Sequence, residues 1–176
     1  MLQQSYWSLS AVVIAAAGFG LGVVAGAVEF VVGGRAAADH LPGTSAWGVH
    51  VVLTVVVVAW LAAARRSPRP RPPMPLSADF VRRVRAAYRH PARAVAVTLL
   101  LLLSWYLLWR MGEQVVGGLD PGFTVNAWGG PGYVGALYCH YLDCMIMIAA
   151  ALLVIDLLIP GRSTSRRASL ETSEAG

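Results

Sequence analysis

The chain has 176 residues, of which 57% are hydrophobic and only 13% are charged, and its formal net charge is +5. Soluble domains carry about 25% charged residues, so this composition favours a membrane protein over a soluble one. All fourteen basic residues are arginines, and the absence of lysine excludes a Walker A phosphate loop and a Schiff-base lysine. This arginine-only, Ala/Val/Gly-rich usage is typical of a GC-rich bacterial genome.

Four long apolar segments follow one another, at about residues 8–32, 44–64, 94–112 and 132–159. A helix needs about 20 apolar residues to cross the roughly 30 Å core of a bilayer. The sequence therefore predicts an all-α integral membrane protein. We expect residues 1–160 to form a bundle of four transmembrane helices and residues 161–176 to form a disordered cytoplasmic tail.

The first segment carries a stripe of small residues that predicts close helix packing. Gly18, Gly22 and Gly26 recur at four-residue steps, which places them on one helical face. Small residues at this spacing let a neighbouring backbone approach closely. Glu29 falls on the same face, near the end of the segment. In the second segment His50 and Thr54 share a face near its beginning.

The link over residues 65–93 decides the predicted orientation. It holds nine arginines, whereas the link after the first segment holds one, Arg35. Arginine-rich loops stay on the cytoplasmic side, which predicts a multi-pass inner (plasma) membrane protein with both termini cytoplasmic. Residues 77–90 predict a basic amphipathic helix with Ser77 as N-cap, resting on anionic lipid. No recognition motif accompanies these arginines, so nucleic acid is not an expected partner.

The third segment ends with Arg110 and Glu113, three residues apart and able to pair on a helix. The following link, residues 112–132, is rich in glycine and too long for a simple turn, and links of this kind are often functional. In the fourth segment His140, Asp143 and Cys144 share one face with Met147. Cys139 and Cys144 point apart on a helix, which predicts two free thiols.

Ionisable residues from all four segments fall at similar depth, towards the ends opposite the arginine-rich link. The inner halves are almost purely aliphatic. Polar residues inside a membrane are costly and mark functional sites, although they also serve as plain contacts between helices. The candidates for binding a ligand or proton are Glu29, His50, Arg110, Glu113, His140 and Asp143.

The polar cluster leaves several functions open. The first is a non-enzymatic accessory subunit or small transport component, surrounded by the lipid bilayer and assembled as a homo-oligomer or within a larger membrane complex. The second is a redox protein in which His50 and His140 hold a haem or a divalent metal. The third is an outward-facing enzyme in which His140 and Asp143 together act as a general base on lipid or a small molecule.

Overall fold

The computed structural model describes residues 7–33, 39–41, 45–66 and 76–159, and their regular structure is α-helical. Four helices are long and apolar enough to cross a membrane. The predicted bundle of four membrane-spanning helices is therefore confirmed. The predicted tail and the proline-rich residues 67–75 lie outside the described residues. The helices are α1 (Leu9–Val32), α2 (Trp47–Arg66), α3 (Ala78–Ala87), α4 (Pro91–Gly117), α5 (Pro121–Thr124) and α6 (Tyr133–Leu158).

The third spanning helix, α4, is longer at both ends than its apolar segment. It begins at Pro91, because proline fits the first turn of a helix, where its missing N–H is not needed. It continues through Glu113 and Gln114, both of which are buried. Packing against neighbours, rather than apolarity, therefore sustains the last turns of α4.

The helices α1 and α4 are parallel and meet backbone to backbone. Every buried residue of α1 is a glycine. A Cβ atom added to Gly22 would overlap the carbonyl group of Trp109, and one added to Gly112 would overlap that of Phe19. The absence of side chains on α1 is thus what permits this approach. The facing pairs along this glycine seam are Gly18–Trp105, Gly22–Trp109 and Gly26–Glu113.

The other side of α4 packs against α6, which in turn contacts α2. Leu107 and Met111 of α4 form a core cluster with Cys144 of α6, and the Tyr141 hydroxyl donates to the Met111 carbonyl at 2.8 Å. The main contacts therefore run in the order α1–α4–α6–α2. We call the end of the bundle where α1 and α4 finish the outer end, and the opposite end the inner end.

The short helix α3 packs on the inner end of the bundle. Ser77 caps it by accepting from the Phe80 amide at 3.2 Å. Phe80 and Ala87 on its apolar face are buried against α4 and α6, beside Val97 and Ile155. The protein itself thus supplies the apolar surface that this face needs. The predicted contact of this helix with anionic lipid stays a prediction.

Candidate functional site

A histidine and an aspartate from different helices meet towards the outer end. His50 of α2 is completely buried, and its Nε2 lies 3.2 Å from Oδ2 of Asp143 on α6. The other ring nitrogen, Nδ1, lies 2.9 Å from the Ala46 carbonyl. Ala46 stands just before α2 with a φ of 49°. Both ring nitrogens of His50 are therefore engaged.

Further side chains of α2 and α6 surround this pair. The Thr54 hydroxyl donates to the His50 carbonyl at 2.7 Å, and it also contacts the Tyr138 hydroxyl. Because a hydroxyl has one proton to donate, Tyr138 must be the donor to Thr54. The Tyr138 ring stacks on Trp47 with centroids 6.0 Å apart. The contact between α2 and α6 is therefore mainly polar and aromatic.

Two connecting segments cover the pair from the outer end. We call residues 39–41, 45–46 and 118–132 the outer cap. The two connecting segments of the outer cap are joined by hydrogen bonds, including His40 Nδ1 to the Val125 carbonyl at 2.8 Å and the Gly129 amide to the Ser45 carbonyl at 2.7 Å. Trp128 sets its ring edge-on to His50, with centroids 5.5 Å apart. The link predicted to cover the polar residues does lie over His50.

Glycine permits the outer cap to reach the helix beneath it. Gly129 has a φ of 83°, a conformation that side chains disfavour. A Cβ atom at Gly129 would overlap the Gly135 carbonyl and lie 2.7 Å from Sγ of Cys139. The outer cap thus rests directly on the first turns of α6.

A second charged pair belongs to α4. Arg110 forms an ion pair with Glu113, whose side chain is only 4% exposed. On the facing helix, His140 Nε2 lies 3.6 Å from Sγ of Cys144. This position puts His140 within electrostatic range of both Arg110 and Asp143.

The polar face predicted for α6 divides between two neighbours. Asp143 points to His50 of α2, whereas Cys144 belongs to the core cluster shared with α4. His140 lies between these directions on the helix, since residues three and four apart flank it. Met147, expected on the interior face, is 44% exposed. Asp143 makes its hydrogen bond to His50 and not to His140, with which the enzyme hypothesis paired it.

Glu29 and the α1 glycines differ in burial, although the sequence places them on one helical face. Gly18, Gly22 and Gly26 are buried in the glycine seam. Glu29 is exposed, with Oε2 3.4 Å from the point where a Cβ of Gly117 would stand. The structure therefore brings together His50, Asp143, His140 and Arg110 with Glu113, and places Glu29 at the edge of the bundle.

The arrangement of His50 does not favour a metal or haem ligand. Its two nitrogens face the Ala46 carbonyl and Asp143, so neither nitrogen is directed at an open position. Among the described residues there is no group of three or more His, Cys, Asp or Glu side chains that can hold a metal ion. A metal or haem bound by His50 and His140 remains a prediction that this geometry does not support.

Three partners of the pair escaped sequence reasoning. Tyr138, Trp128 and Ala46 each contact His50 or its neighbour Thr54. Tyr138 lies five residues before Asp143, and this spacing does not mark a shared helical face. Trp128 lies in the outer cap, where helical periodicity gives no direction. Comparison with protein families, curated proteins and solved structures finds no match to this chain.

Proposed function

We propose that this protein is a non-catalytic subunit of a larger membrane assembly, in which a partner covers Asp143. The observation that carries the proposal is the 27% exposure of the Asp143 side chain on a membrane-spanning helix. A charged side chain at the centre of a bilayer costs on the order of 3 kcal/mol, and lipid tails offer no hydrogen-bond donor. A polar group of a partner at this depth removes that cost.

The internal packing of the chain indicates which side such a partner uses. The glycine face of α1 is filled by α4, and the apolar face of α3 is filled by α4 and α6. In α2, which the structure describes in full, His50 is the single buried residue. From residue 55 to residue 64 the exposed side chains of α2 are apolar, and His50 of the same helix contacts Asp143. We therefore propose that the partner binds along α2.

Native mass spectrometry after mild detergent extraction from the source cells tests this function. We expect a stoichiometric assembly heavier than the 18.7 kDa chain that contains a second kind of protein. Val55→Trp, at a position 63% exposed on α2, is expected to dissociate it, whereas Val24→Trp, 61% exposed on α1, leaves it intact. A monomer, an assembly of this chain alone, or dissociation by Val24→Trp but not by Val55→Trp contradicts the proposal.

We further propose that the inner end faces the cytoplasm, with both termini on that side and the protein in the inner (plasma) membrane. The support is the accumulation of arginine at that end: Arg65 and Arg66 finish α2, and α3 exposes Arg82 and Arg85. Such residues also attract anionic headgroups. A reporter that is active only outside the cytoplasm, fused after Arg71, is expected to be silent. Activity at that fusion point reverses the orientation.

A small transport component is the second candidate, and the contact between His50 and Asp143 favours it. Buried histidine–carboxylate pairs in membranes are typical of proton relays. The visible spectrum and metal content of the purified protein separate this reading from the redox alternative. We expect a colourless protein without stoichiometric metal, since both nitrogens of His50 are engaged. A Soret band lost in both His50→Gln and His140→Gln assigns the two histidines to haem.

A further inference from the structure

The hydrogen bonds of His50 define how many protons the pair holds. A backbone carbonyl can only accept, so Nδ1 must carry the proton that it donates to Ala46. A neutral imidazole has no second proton, and its bare Nε2 would then face the lone pairs of an ionised carboxylate. The 3.2 Å contact between Nε2 and Oδ2 of Asp143 is a hydrogen bond only if one more proton lies between them.

From this count we propose that His50 and Asp143 form a binding site for a single proton, and that its occupancy decides whether α2 stays docked on α6. With the proton present, the pair is either an imidazolium facing a carboxylate or an imidazole facing a carboxylic acid. Both arrangements have one hydrogen bond. When the proton leaves, one imidazole proton remains for two acceptors. We propose that it stays on Nδ1, which lies nearer to its acceptor, the Ala46 carbonyl, at 2.9 Å. Two lone pairs then face each other between Nε2 and Asp143, and that contact turns from attractive to repulsive.

The helix α2 is built to respond to this change. The hydrogen bonds and ring contacts that its side chains make to the rest of the described chain come from Trp47, His50 and Thr54, all near its outer end. From residue 55 to residue 66 every residue except Val57 is exposed. The inner half of α2 is therefore held through its outer end. Loss of the His50 contact leaves the Trp47 and Thr54 contacts to Tyr138, about which the inner half of the helix can pivot.

The accessible member of the pair is the carboxylate. His50 has no exposed surface, whereas 27% of the Asp143 side chain is exposed, so in the isolated chain Asp143 is the member of the pair from which the shared proton can be released. The titratable and charged groups around it are Tyr138, Cys139, His140 and Cys144 on α6, and Arg110 with Glu113 on α4. The opposite charges of Arg110 and Glu113 largely cancel each other, because the two side chains form an ion pair. His140 is the neighbour whose titration must be separated from that of the site.

The direction of the pH effect follows from the proton count. At low pH the pair is occupied, and α2 is docked. A second proton at still lower pH leaves an imidazolium N–H facing a carboxylic acid, which retains a carbonyl oxygen as acceptor. Docking is therefore lost only as pH rises through release of the shared proton, and it is not lost on acidification.

Two measurements on the wild-type chain in lipid nanodiscs test the site between about pH 5 and 9, the range in which histidine commonly titrates. Nitrogen NMR with ¹⁵N-histidine reports the state of each His50 nitrogen, with the signal assigned by its loss in His50→Gln. Double electron–electron resonance reports the distance between spin labels at Ala62 and Leu153. The labels are attached to keto-bearing amino acids at these two positions, so that Cys139 and Cys144 need not be replaced. We expect one pH transition at Nε2 and a lengthening of the label distance with the same midpoint.

Matched variants separate this site from its surroundings. Asp143→Asn replaces the acid with a neutral amide and is expected to make the label distance independent of pH. His140→Gln removes the neighbouring titration and is expected to keep the wild-type distance change. A wild-type distance that is constant with pH overturns the proposal, as does a distance change without an Nε2 transition. If Asp143→Asn does not fold, the two wild-type measurements still decide.

This inference is independent of the proposed assembly. It is measured on the isolated chain, whereas the assembly is measured on material from source cells. If the position of α2 depends on pH but the chain has no partner in the source cells, the proton-site proposal stands and the assembly proposal fails.

Discussion

The glycine seam between α1 and α4 and the contact between α2 and α6 join helices by opposite means. In the first, the buried residues of α1 are Gly18, Gly22 and Gly26, and backbones touch because side chains are absent. In the second, the one buried residue of α2 is His50, and polar side chains reach across. The first contact depends on shape and extends along the helices. The second depends on protons and is confined to one end.

The largest expected change in the free energy of unfolding comes from adding a single methyl group to the glycine seam. Gly22→Ala places a Cβ against the Trp109 carbonyl, and because that atom is backbone it cannot turn away. We expect the free energy of unfolding to fall by about 1–3 kcal/mol, the usual cost of overpacking. The measurement is an SDS titration of the protein in mixed micelles.

Gly20→Ala is the matched control for Gly22→Ala. A Cβ at Gly20 meets nothing within 4 Å, and alanine is the better helix former by roughly 0.5–1 kcal/mol. The free energy of unfolding should therefore be unchanged or rise. Equal losses in Gly20→Ala and Gly22→Ala would show that helix geometry, and not the glycine seam, sets the tolerance of α1.

Removing a hydrogen bond between α2 and α6 is expected to have a smaller effect. Tyr138→Phe deletes the donor to Thr54, and Thr54→Val deletes the acceptor. Side-chain hydrogen bonds between membrane helices average about 0.6 kcal/mol, with a maximum of about 1.7. A double-mutant cycle on the free energy of unfolding should give a coupling within this range.

Tyr141→Phe is the control for that cycle. The Tyr141 hydroxyl donates to Met111 of α4 and does not touch α2. Its effect should add to that of Thr54→Val without coupling. Coupling of similar size in both cycles would mean that α2 and α4 respond as one unit, and the distinction between the two contacts would fail.

The sequence predicts which segments are helical better than it predicts which helices contact one another. Long apolar segments define four spans because a bilayer demands that length. Helical periodicity also places Gly18, Gly22 and Gly26 on one face of α1. It does not reveal that this face meets α4, because periodicity fixes directions about a helix's own axis only. For the same reason the shared polar face of α6 gave no sign that Asp143 turns to α2 and Cys144 to α4.

The candidate site shows the same division between local and tertiary information. Depth along the spans grouped His50 with Asp143, since both fall at similar distances from the arginine-rich ends. The roles of Tyr138 and Trp128 depend on how α6 and the outer cap are placed against α2. The extension of α4 through Glu113 also follows from packing on α1 rather than from apolarity. Contacts of this kind arise only when the chain is folded.

The smallest expected effect concerns an ion pair at the inner end, where α3 joins α6. Arg83 lies 2.6 Å from Asp156, and both side chains are under a quarter exposed, at 23% and 22%. Arg82 pairs instead with Asp79 within α3, and these side chains are 65% and 67% exposed. Arg83→Gln should lower the free energy of unfolding by up to about 1 kcal/mol, whereas Arg82→Gln should have no measurable effect, because solvent screens exposed pairs. If both variants unfold like the wild type, the apolar cluster around Phe80 and Ile155 suffices to hold α3, and shape rather than charge governs the inner end as it governs the glycine seam.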